Sequence, residues 1–380
     1  MDLSGFQYIV VGAGLFGSTV AERIASQTGL PVAILDRRGH IGGNCHSATD
    51  PETGIECHVY GTHIFHTKRR RVWDWVTRFT AFNSYRHKVL TRHAGRVFPM
   101  PINLTTINNF YGIDLAPAEV AAFVRAEAAR DRVDDPANLE EKAISLVGRP
   151  LYEAFIRGYT LKQWETDPRN LPAEVITRLP FRHSHEVDYF TDPWQGIPLD
   201  GYAAMFKAIQ AHEKIHVFLN MDYFNLRDAI PRGATVIYTG PVDRYFDCRF
   251  GELSWRTIDF EREVHPVADY QGTAVLNYAD PDVPWTRIHE YRHLHPERDY
   301  GATTVTFKEF SRRAAGGDDP YYPVNTPADI GRLEQYEQLA KAESNVLFGG
   351  RLGGYKYLDM DTTILSALEM FEGDIKPRHS

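Results

Sequence analysis

The chain has 380 residues, and its 43% hydrophobic and 24% charged content is ordinary for a soluble globular enzyme. Its length exceeds the ~100–200 residues of a typical domain, so we expect two or three domains sharing a large core. The net charge of −8 argues against general nucleic-acid binding, so a polyanionic ligand would need a local basic pocket. Cys45, Cys57 and Cys248 lack C-x-x-C spacing, which supports neither a disulfide framework nor a thiolate zinc site.

The apolar beginning of the chain resembles a secretion signal only superficially, because it lacks a basic leader and carries Asp2. No apolar run in the sequence approaches the ~20 residues that are needed to span a bilayer. We therefore expect a cytoplasmic protein without a membrane span.

Residues 8–17, with the sequence YIVVGAGLFG, carry the first structural signal. The apolar start predicts a short buried strand, and Gly12, Gly14 and Gly17 have the G-x-G-x-x-G spacing of a strand-to-helix turn. The first glycine makes the tight turn, the second lets a pyrophosphate approach the backbone, and the third lets the helix pack on the strand. A glycine triad alone would more often be a structural turn, so its context decides the interpretation.

A helix expected over roughly residues 16–28 leads to a second apolar run at residues 32–35. Asp36 ends this strand and is placed to accept hydrogen bonds from a ribose, so strand, helix, strand and acid together predict a dinucleotide-binding fold. The next residues, RRGHIGGN at 37–44, could be a solvated loop with a plain turn. They resemble the basic double-glycine extension of flavoproteins of the glutathione-reductase class, which favours FAD over a nicotinamide.

The remaining predicted elements change character along the chain. Residues 103–164 repeat apolar residues at three- and four-residue spacing, which predicts helices, whereas residues 247–312 contain strand-like runs. Residues 200–246 and the C-terminal segment return to the strand-and-helix pattern. We expect an α/β fold: a discontinuous Rossmann-like FAD-binding domain with a helical insertion domain and an antiparallel β-sheet domain. The predicted ranges are 1–66, 200–246 and 330–380 for the FAD-binding domain, 103–170 for the helical substrate and lid domain, and 67–102, 171–199 and 247–329 for the β-sheet domain.

Several long segments, in order, carry a resemblance to one family. They are GAGLFG (12–17), RRGHIGGN (37–44), YGTHIFHT (60–67), PMPINLTTINNF (99–110), GYTLKQW (158–164), ITRLP (176–180), YTGPVDRYFD (238–247), PWTRIHEYRHLHPER (284–298), YYPVN (321–325) and GRLGGYKYLDMD (350–361). With them the chain resembles the bacterial UDP-galactopyranose mutase family over essentially its whole length.

That resemblance implies a specific reaction. The family interconverts UDP-galactopyranose and UDP-galactofuranose reversibly and without net redox change, and so supplies galactofuranose for cell-surface glycans. N5 of reduced FAD attacks the anomeric carbon, with UDP as the leaving group. The resemblance therefore implies FAD that is active when reduced, a reductant such as NAD(P)H, and a homo-oligomer.

A diphosphate leaving group needs fixed positive charge, and a planar guanidinium suits phosphate better than an ammonium does. Arg178 in ITRLP and Arg287 in PWTR match the family's two diphosphate-binding arginines, so the resemblance implies a catalytic role for both. Without those motifs, an arbitrary arginine would more often form a surface salt bridge. No Ser-His-Asp or Cys-His set is evident, which fits chemistry that a cofactor carries.

Uracil recognition needs an aromatic face and a polar edge, and the resemblance assigns it to residues 155–164. Phe155 and Tyr159 are four apart and share a helical face, although a buried core stripe would be the favoured reading without the family. His87 falls where some relatives have an asparagine, which is a departure from the family pattern. The implied substrate-binding residues are His87, Phe155, Tyr159, Thr160, Trp164, Tyr189, Asn277, Tyr322, Tyr357 and Asp359.

His63 and His66 form an H-x-x-H pair that could suggest a metal. No acidic or cysteine partner has a convincing spacing and the segment is predicted as loop or strand, so we expect no metal site. In the family this loop passes the flavin ring, which implies that a histidine here tunes N5 or stabilises the reduced state. His289, His293 and His295 alternate along a predicted strand and are expected to form a polar face, not a site.

The scaffold leaves two other functions open. One is a FAD-dependent oxidoreductase of the amine-oxidase type, and the other is a catalytically silent nucleotide-sugar-binding protein. The paired arginines and the uridine segment favour the mutase. The implied cofactor-binding residues are Gly12, Gly14, Phe16, Gly17, Asp36, Arg37, Gly43, Asn44, Ile64, Met221, Arg351, Leu358, Met360 and Thr363.

Overall fold

The computed structural model describes residues 2–178 and 181–379, and the side chains of Glu174, Thr177 and Arg178 lie outside that description. Its strands are β1 (Tyr8–Val11), β2 (Val32–Leu35), β3 (Ser47–Thr49), β4 (Glu56–His58), β5 (Phe65–Thr67), β6 (Val89–His93), β7 (Arg96–Met100), β8 (Trp194–Gly196), β9 (Ile215–Phe218), β10 (Thr235–Tyr238), β11 (Trp255–His265), β12 (Val275–Tyr278), β13 (Arg287–Glu290), β14 (Thr304–Arg313), β15 (Tyr322–Pro323) and β16 (Val346–Phe348). Its α-helices are α1 (Leu15–Thr28), α2 (Arg70–Val76), α3 (Leu104–Tyr111), α4 (Pro117–Ala129), α5 (Leu139–Val147), α6 (Arg149–Leu151), α7 (Gly158–Trp164), α8 (Gly201–Ile209), α9 (Tyr223–Leu226), α10 (Val242–Tyr245), α11 (Pro327–Ala342), α12 (Gly350–Gly353) and α13 (Met360–Met370).

A parallel sheet holds the nucleotide-binding motif. Within the described residues its strand order is β16-β10-β1-β2-β9, with β1 at the centre. These strands are almost continuously apolar, as parallel strands must be when both faces are covered. Val20 and Ile24 of α1 and Ala367 of α13 pack on Val10 and Ile34 of the sheet. The predicted Rossmann-like domain is therefore confirmed.

A second sheet is built around the long strands β11 and β14. Over the described part of the chain its order is β15-β11-β14-β13-β12-β6-β7. Its pairs are antiparallel except for β12 with β6, which is parallel. The predicted antiparallel sheet is confirmed, with this one parallel pair as an addition. β13 and β14 lie at the middle of the sheet, where His289, Val305 and Glu309 are buried.

The helical insertion has its own core and is anchored to the second sheet through α7. Leu104, Val120, Leu139 and Tyr152 meet in one buried cluster of that insertion. Lys162 on α7 donates hydrogen bonds from Nζ to the backbone carbonyls of Tyr278 (2.7 Å), Asp280 (2.9 Å) and Trp285 (3.0 Å). These bonds fix α7, which carries several of the predicted substrate-binding residues, to the β12–β13 hairpin.

The packing of α2 bears on one predicted domain boundary. The predicted β-sheet domain includes residues 67–102, and α2 within that range packs through Val72 and Trp75 on Leu15 and Met205 of the nucleotide-binding helices. We therefore propose that the domain boundary lies after α2. The strand predicted through all three histidines ends at Glu290, because a 3₁₀ turn, Tyr291–Leu294, follows it. Only His289 is in the strand, so the prediction was wrong for His293 and His295.

Gly158 makes the contact between α7 and the hairpin possible, which gives a stability prediction. A Cβ at this position would lie 2.2 Å from the carbonyl oxygen of Ala279. Gly158→Ala should lower the free energy of unfolding by roughly 1–3 kcal/mol through overpacking. Gly331→Ala is the matched helical control, because nothing lies within 4 Å of a Cβ there. It should raise stability by roughly 0.5–1 kcal/mol. Urea unfolding measures both, and equal midpoints would contradict the close contact.

Candidate active site

Two large cavities meet inside the protein. The first cavity, of about 820 Å³, lies at the carboxyl ends of the parallel strands. The second cavity, of about 1040 Å³, lies between the helical insertion and the second sheet. Asn44, His63, Arg351 and Met360 line both cavities, so they form a shared wall. A group bound in one cavity can therefore reach a group bound in the other at these four residues.

The first cavity collects the residues predicted for a cofactor. Ile64 is the exception, because it lines the second cavity instead. The predicted residues in the wall of the first cavity are Gly12, Gly14, Phe16, Gly17, Asp36, Arg37, Gly43, Asn44, Met221, Arg351, Leu358, Met360 and Thr363.

The glycine turn has the shape of a phosphate cradle. Gly12 has φ +111°, and a Cβ there would lie 2.2 Å from Thr239 Oγ1. A Cβ on Gly17 would lie 2.1 Å from the carbonyl oxygen of Gly12, so only glycine lets α1 approach the turn. Gly14 caps α1 without a side-chain hydrogen bond, which leaves the N–H groups of the helix start to bind an anion. A pyrophosphate fits this position.

Asp36 and the basic pair beside it are held in place. Asp36 accepts hydrogen bonds from the backbone N–H of Ala13 (2.7 Å) and of Arg38 (2.9 Å). Asp319, on the loop after β14, pairs with Arg37 and lies 2.9 Å from Arg38 Nη2. These ion pairs with Asp319 are not predictable from local pattern, because Asp319 is distant in the chain.

The second cavity collects the residues predicted for the substrate. Arg287, His63 and His66 also line it. The side chain of Arg178 lies outside the described residues, so its predicted role has no structural description. The predicted substrate-binding residues in this wall are His87, Phe155, Tyr159, Thr160, Trp164, Tyr189, Asn277, Tyr322, Tyr357 and Asp359.

Arg287 supplies a positive charge in the wall of the second cavity. Its Nη2 donates to the hydroxyl of Tyr159, and its Nε lies 3.2 Å from Glu309 Oε1. Burial alone would lower the pKa of Arg287, but Glu309 and Tyr159 raise it above the ordinary value. Burial would likewise raise the pKa of Glu309, yet Arg287 and His289 bring it down to about 2. Both groups therefore stay charged, and the remaining guanidinium N–H groups can bind an anion.

His63 lies in the shared wall as a neutral side chain. Burial lowers the pKa of His63 to about 4. Its Nδ1 lies 2.8 Å from the carbonyl oxygen of Gly61 and must donate, because a carbonyl only accepts. The ring therefore offers Nε2 as a hydrogen-bond acceptor.

His66 is oriented by two contacts from one loop. Its Nδ1 lies 2.6 Å from Asp192 Oδ2, and its ring stacks on Phe190 with centroids 3.6 Å apart.

Among the described residues, the group that could hold a metal comprises Asp269, Glu290 and His293, and it includes neither histidine of the H-x-x-H pair.

The comparisons with known proteins agree with this geometry. The family model described as UDP-galactopyranose mutase matches residues 154–357, and a model for an NAD(P)-binding Rossmann-like domain matches residues 10–79. A Klebsiella pneumoniae protein named "Probable UDP-galactopyranose mutase" is 42% identical, covering 95% of this chain and 92% of its own. The chain belongs to the UDP-galactopyranose mutase family. It is therefore an enzyme of a flavin-dependent isomerase family.

A second relative supports this membership, and a solved structure supports the fold. A dTDP-fucopyranose mutase of Escherichia coli is 38% identical over 97% of this chain and 98% of its own. A crystal structure of reduced UDP-galactopyranose mutase covers 99% of this chain and 95% of its own with a TM-score of 0.74, and at 16% identity it supports the fold alone. Within the described residues of the present chain, no helix is long and apolar enough to cross a membrane.

Sequence reasoning missed several residues around this family's site. His289 was expected on a polar face away from any site, but its side chain is 1% exposed and lines the second cavity. Thr62 and Glu309 line the same wall, and Asp192 orients His66. One signal was available: side chains two apart on a strand share a face, so His289 follows Arg287 into the cavity.

His87 links the site to the pH dependence of stability. Burial lowers the pKa of His87 from its ordinary 6.5 to about 3, with Arg287 contributing, so the unfolded chain binds more protons between those values. The stabilising contribution of neutral His87 is therefore complete above pH 6.5 and is lost as the pH falls toward 3. His87→Asn should flatten the rise of unfolding free energy between pH 4 and 6 by roughly 1 kcal/mol per pH unit.

Exposed His183 provides the control, and His183→Asn should keep the wild-type slope. Urea unfolding at several pH values measures all three proteins. An unchanged slope in His87→Asn would show that folded His87 takes up a proton as readily as the unfolded chain.

Proposed function

We propose that the protein converts UDP-galactopyranose to UDP-galactofuranose, reversibly and without net redox change. One observation carries the proposal: the cavity that contains the glycine turn shares Asn44, His63, Arg351 and Met360 with the cavity that contains Arg287. A redox-active ring can thus meet the sugar of a nucleotide diphosphate, as a mutase of this family requires. The 42% identical relative is named for the same reaction, which supports it further.

The first cavity fits FAD. The N-terminus of α1 would hold the pyrophosphate, because Gly12 and Gly17 leave no room for side chains there. Asp36 would hold the adenosine ribose, and Arg351 and Met360 would contact the flavin end in the shared wall. When bound and reduced, FAD would supply a nucleophile for exchange of UDP at the anomeric carbon. His63 in the shared wall stays neutral and offers Nε2 as an acceptor.

The second cavity would hold UDP through positively charged arginines and through the neutral tyrosine hydroxyls around them. We assign the diphosphate to Arg287 and Arg178. Burial raises the pKa of Tyr322 above its ordinary value, and that of Tyr159 to about 12, so both phenols stay protonated. Tyr322 and Tyr357 have their ring centroids 5.6 Å apart and would donate hydrogen bonds without adding charge. Such contacts suit a UDP group that must leave and then return.

The aromatic end of the second cavity would take the uridine. Phe155, Tyr159 and Trp164 come from the π-helical segment Tyr152–Arg157 and from α7, which Lys162 anchors. His87 lies near Tyr189, with centroids 5.7 Å apart, and Tyr85 contacts its Nδ1 at 3.1 Å. As a neutral group, His87 would offer a hydrogen bond to the base or sugar. Asn277 and Asp359 would contact sugar hydroxyls.

A second substrate deserves a direct comparison, because a 38% identical relative is named a dTDP-fucopyranose mutase. That substrate would need the same diphosphate and flavin contacts. From the family resemblance we also propose a cytoplasmic homo-oligomer that is reduced by NAD(P)H and supplies galactofuranose for cell-surface glycans.

The first test concerns redox state. Because N5 is nucleophilic only when the flavin is reduced, we expect turnover of UDP-galactofuranose only after dithionite treatment, with many turnovers per electron pair. Chromatography of the nucleotide sugars measures product, and dTDP-fucopyranose is assayed in parallel. Faster turnover of dTDP-fucopyranose would move the assignment to that substrate. Consumption of one reductant per sugar would instead indicate an oxidoreductase.

The second test concerns the diphosphate. Arg287→Ala and Arg178→Ala should each reduce kcat/KM by about 30-fold to several thousand-fold, since one charge-assisted contact in a buried site contributes on the order of 2–5 kcal/mol. The flavin absorbance should persist in both. Arg157→Ala is the control, because Arg157 is 46% exposed in a pair with Glu153. Near-normal rates in Arg287→Ala and Arg178→Ala would place the diphosphate elsewhere.

A further inference from the structure

Two hydrogen bonds and one ion pair join the loop of residues 60–64 to Arg287. Thr62 Oγ1 lies 2.6 Å from His289 Nδ1, and His289 Nε2 lies 2.9 Å from Glu309 Oε2. The other carboxylate oxygen, Oε1, lies 3.2 Å from Arg287 Nε. The side chains of His289 and Glu309 are 1% and 3% exposed, so water does not compete with these contacts. We call Thr62, His289 and Glu309 the relay.

The direction of each hydrogen bond in the relay is determined. Burial lowers the pKa of His289 below its ordinary value, even though Glu309 opposes the shift, so the ring is neutral and carries one N–H. Glu309 stays ionised and can only accept, so His289 Nε2 donates to it. Nδ1 is then an acceptor, and the hydroxyl of Thr62 donates to it. Each member therefore fixes the orientation of the next.

Packing around the relay leaves its members little freedom. The ring of Tyr291 stacks on His289 with centroids 5.6 Å apart, and Phe260 meets the same ring edge-on at 5.9 Å. A Cβ on Gly61 would lie 3.3 Å from the Phe260 ring and 3.8 Å from Glu309 Oε2, so the loop lies directly against the carboxylate. Thr286 Oγ1 also donates to Glu309 Oε1 at 3.0 Å.

We propose that Thr62, His289 and Glu309 are positioning residues that hold the guanidinium of Arg287 in its ligand-binding orientation and couple it to the loop of residues 60–64. This inference rests on the proposed diphosphate-binding role of Arg287. Glu309 pairs with the Nε side of the guanidinium and Tyr159 accepts from Nη2, which leaves the remaining Nη N–H groups for the diphosphate. The same loop carries His63, which lies in the shared wall. The relay therefore also holds His63 at a fixed distance from Arg287.

The energetic consequence is a matter of pre-organisation. If Arg287 is already oriented, binding of UDP loses less side-chain entropy and affinity is higher. The relay couples the Thr62 hydroxyl to the guanidinium of Arg287. Removing that hydroxyl should therefore lower the affinity for an anion at Arg287. Glu309 is the ionised member of the relay, and it is already paired with Arg287.

The experiment uses UDP binding to the flavin-loaded protein, measured by isothermal titration calorimetry. Thr62→Val removes the hydroxyl while nearly preserving shape, and should raise the Kd for UDP about fivefold. Thr62→Ser keeps the hydroxyl and should bind UDP within about twofold of wild type. Thr62→Ala also lacks the hydroxyl and should match Thr62→Val, which covers the case in which the valine variant folds poorly. Flavin content and melting temperature verify folding.

A double-mutant cycle separates the relay from direct contact. His289→Phe keeps an aromatic ring against Tyr291 but removes both hydrogen bonds, and should itself raise the Kd for UDP about fivefold. Adding Thr62→Val to His289→Phe should then change the Kd by less than twofold, since the relay is already broken. A further fivefold loss would show that Thr62 contacts UDP itself, and would overturn the relay.

The two proposals fail in different ways. If Arg287→Ala binds UDP as tightly as wild type, the diphosphate assignment fails and the proposed function with it. If Arg287→Ala weakens UDP binding while Thr62→Val and Thr62→Ala do not, the relay alone is wrong.

Discussion

The charge of Arg287 is the constraint on which the site depends, and its side chain is 28% exposed beside Glu309, which is 3% exposed. An ion taken out of water is costly unless it is paired, and breaking a buried pair leaves the other charge exposed to the apolar interior. Glu309 offsets this cost, and it is itself satisfied by His289 and Thr286. Glu309 is shielded from solvent by its position on β14, in the middle of the sheet beside β13, so it stays available to pair with the guanidinium and orient it for an anionic ligand.

Around that charge the site is kept neutral. Burial lowers the pKa values of His63, His87 and His289 and raises those of Tyr159 and Tyr322. These side chains donate or accept hydrogen bonds, but they add no charge that would compete with the arginine. Positive charge is thereby concentrated where a leaving diphosphate would sit, while the base would meet neutral aromatic and histidine side chains.

The two halves of the site are held at a fixed separation by packing. Gly158 and Lys162 tie α7 to the β12–β13 hairpin, and the loop of residues 60–64 lies against Glu309 through Gly61. The nucleotide-binding sheet, the helical insertion and the second sheet each supply one wall. A cavity formed in this way needs no side-chain nucleophile of its own, because its task is to bring a cofactor ring and a sugar together.

The sequence by itself determined the features that follow from local pattern. The glycine turn, Asp36 and the alternation of helical and strand-like segments are set by residues close together in the chain, and the structure has them where expected. Only the tertiary structure revealed the contacts of Asp319 with Arg37, of Asp192 with His66 and of His289 with Glu309. Thr62 and His289, for example, are 227 residues apart, so no periodicity connects them. Burial, which sets the protonation of the histidines and of Glu309, likewise depends on how distant segments pack.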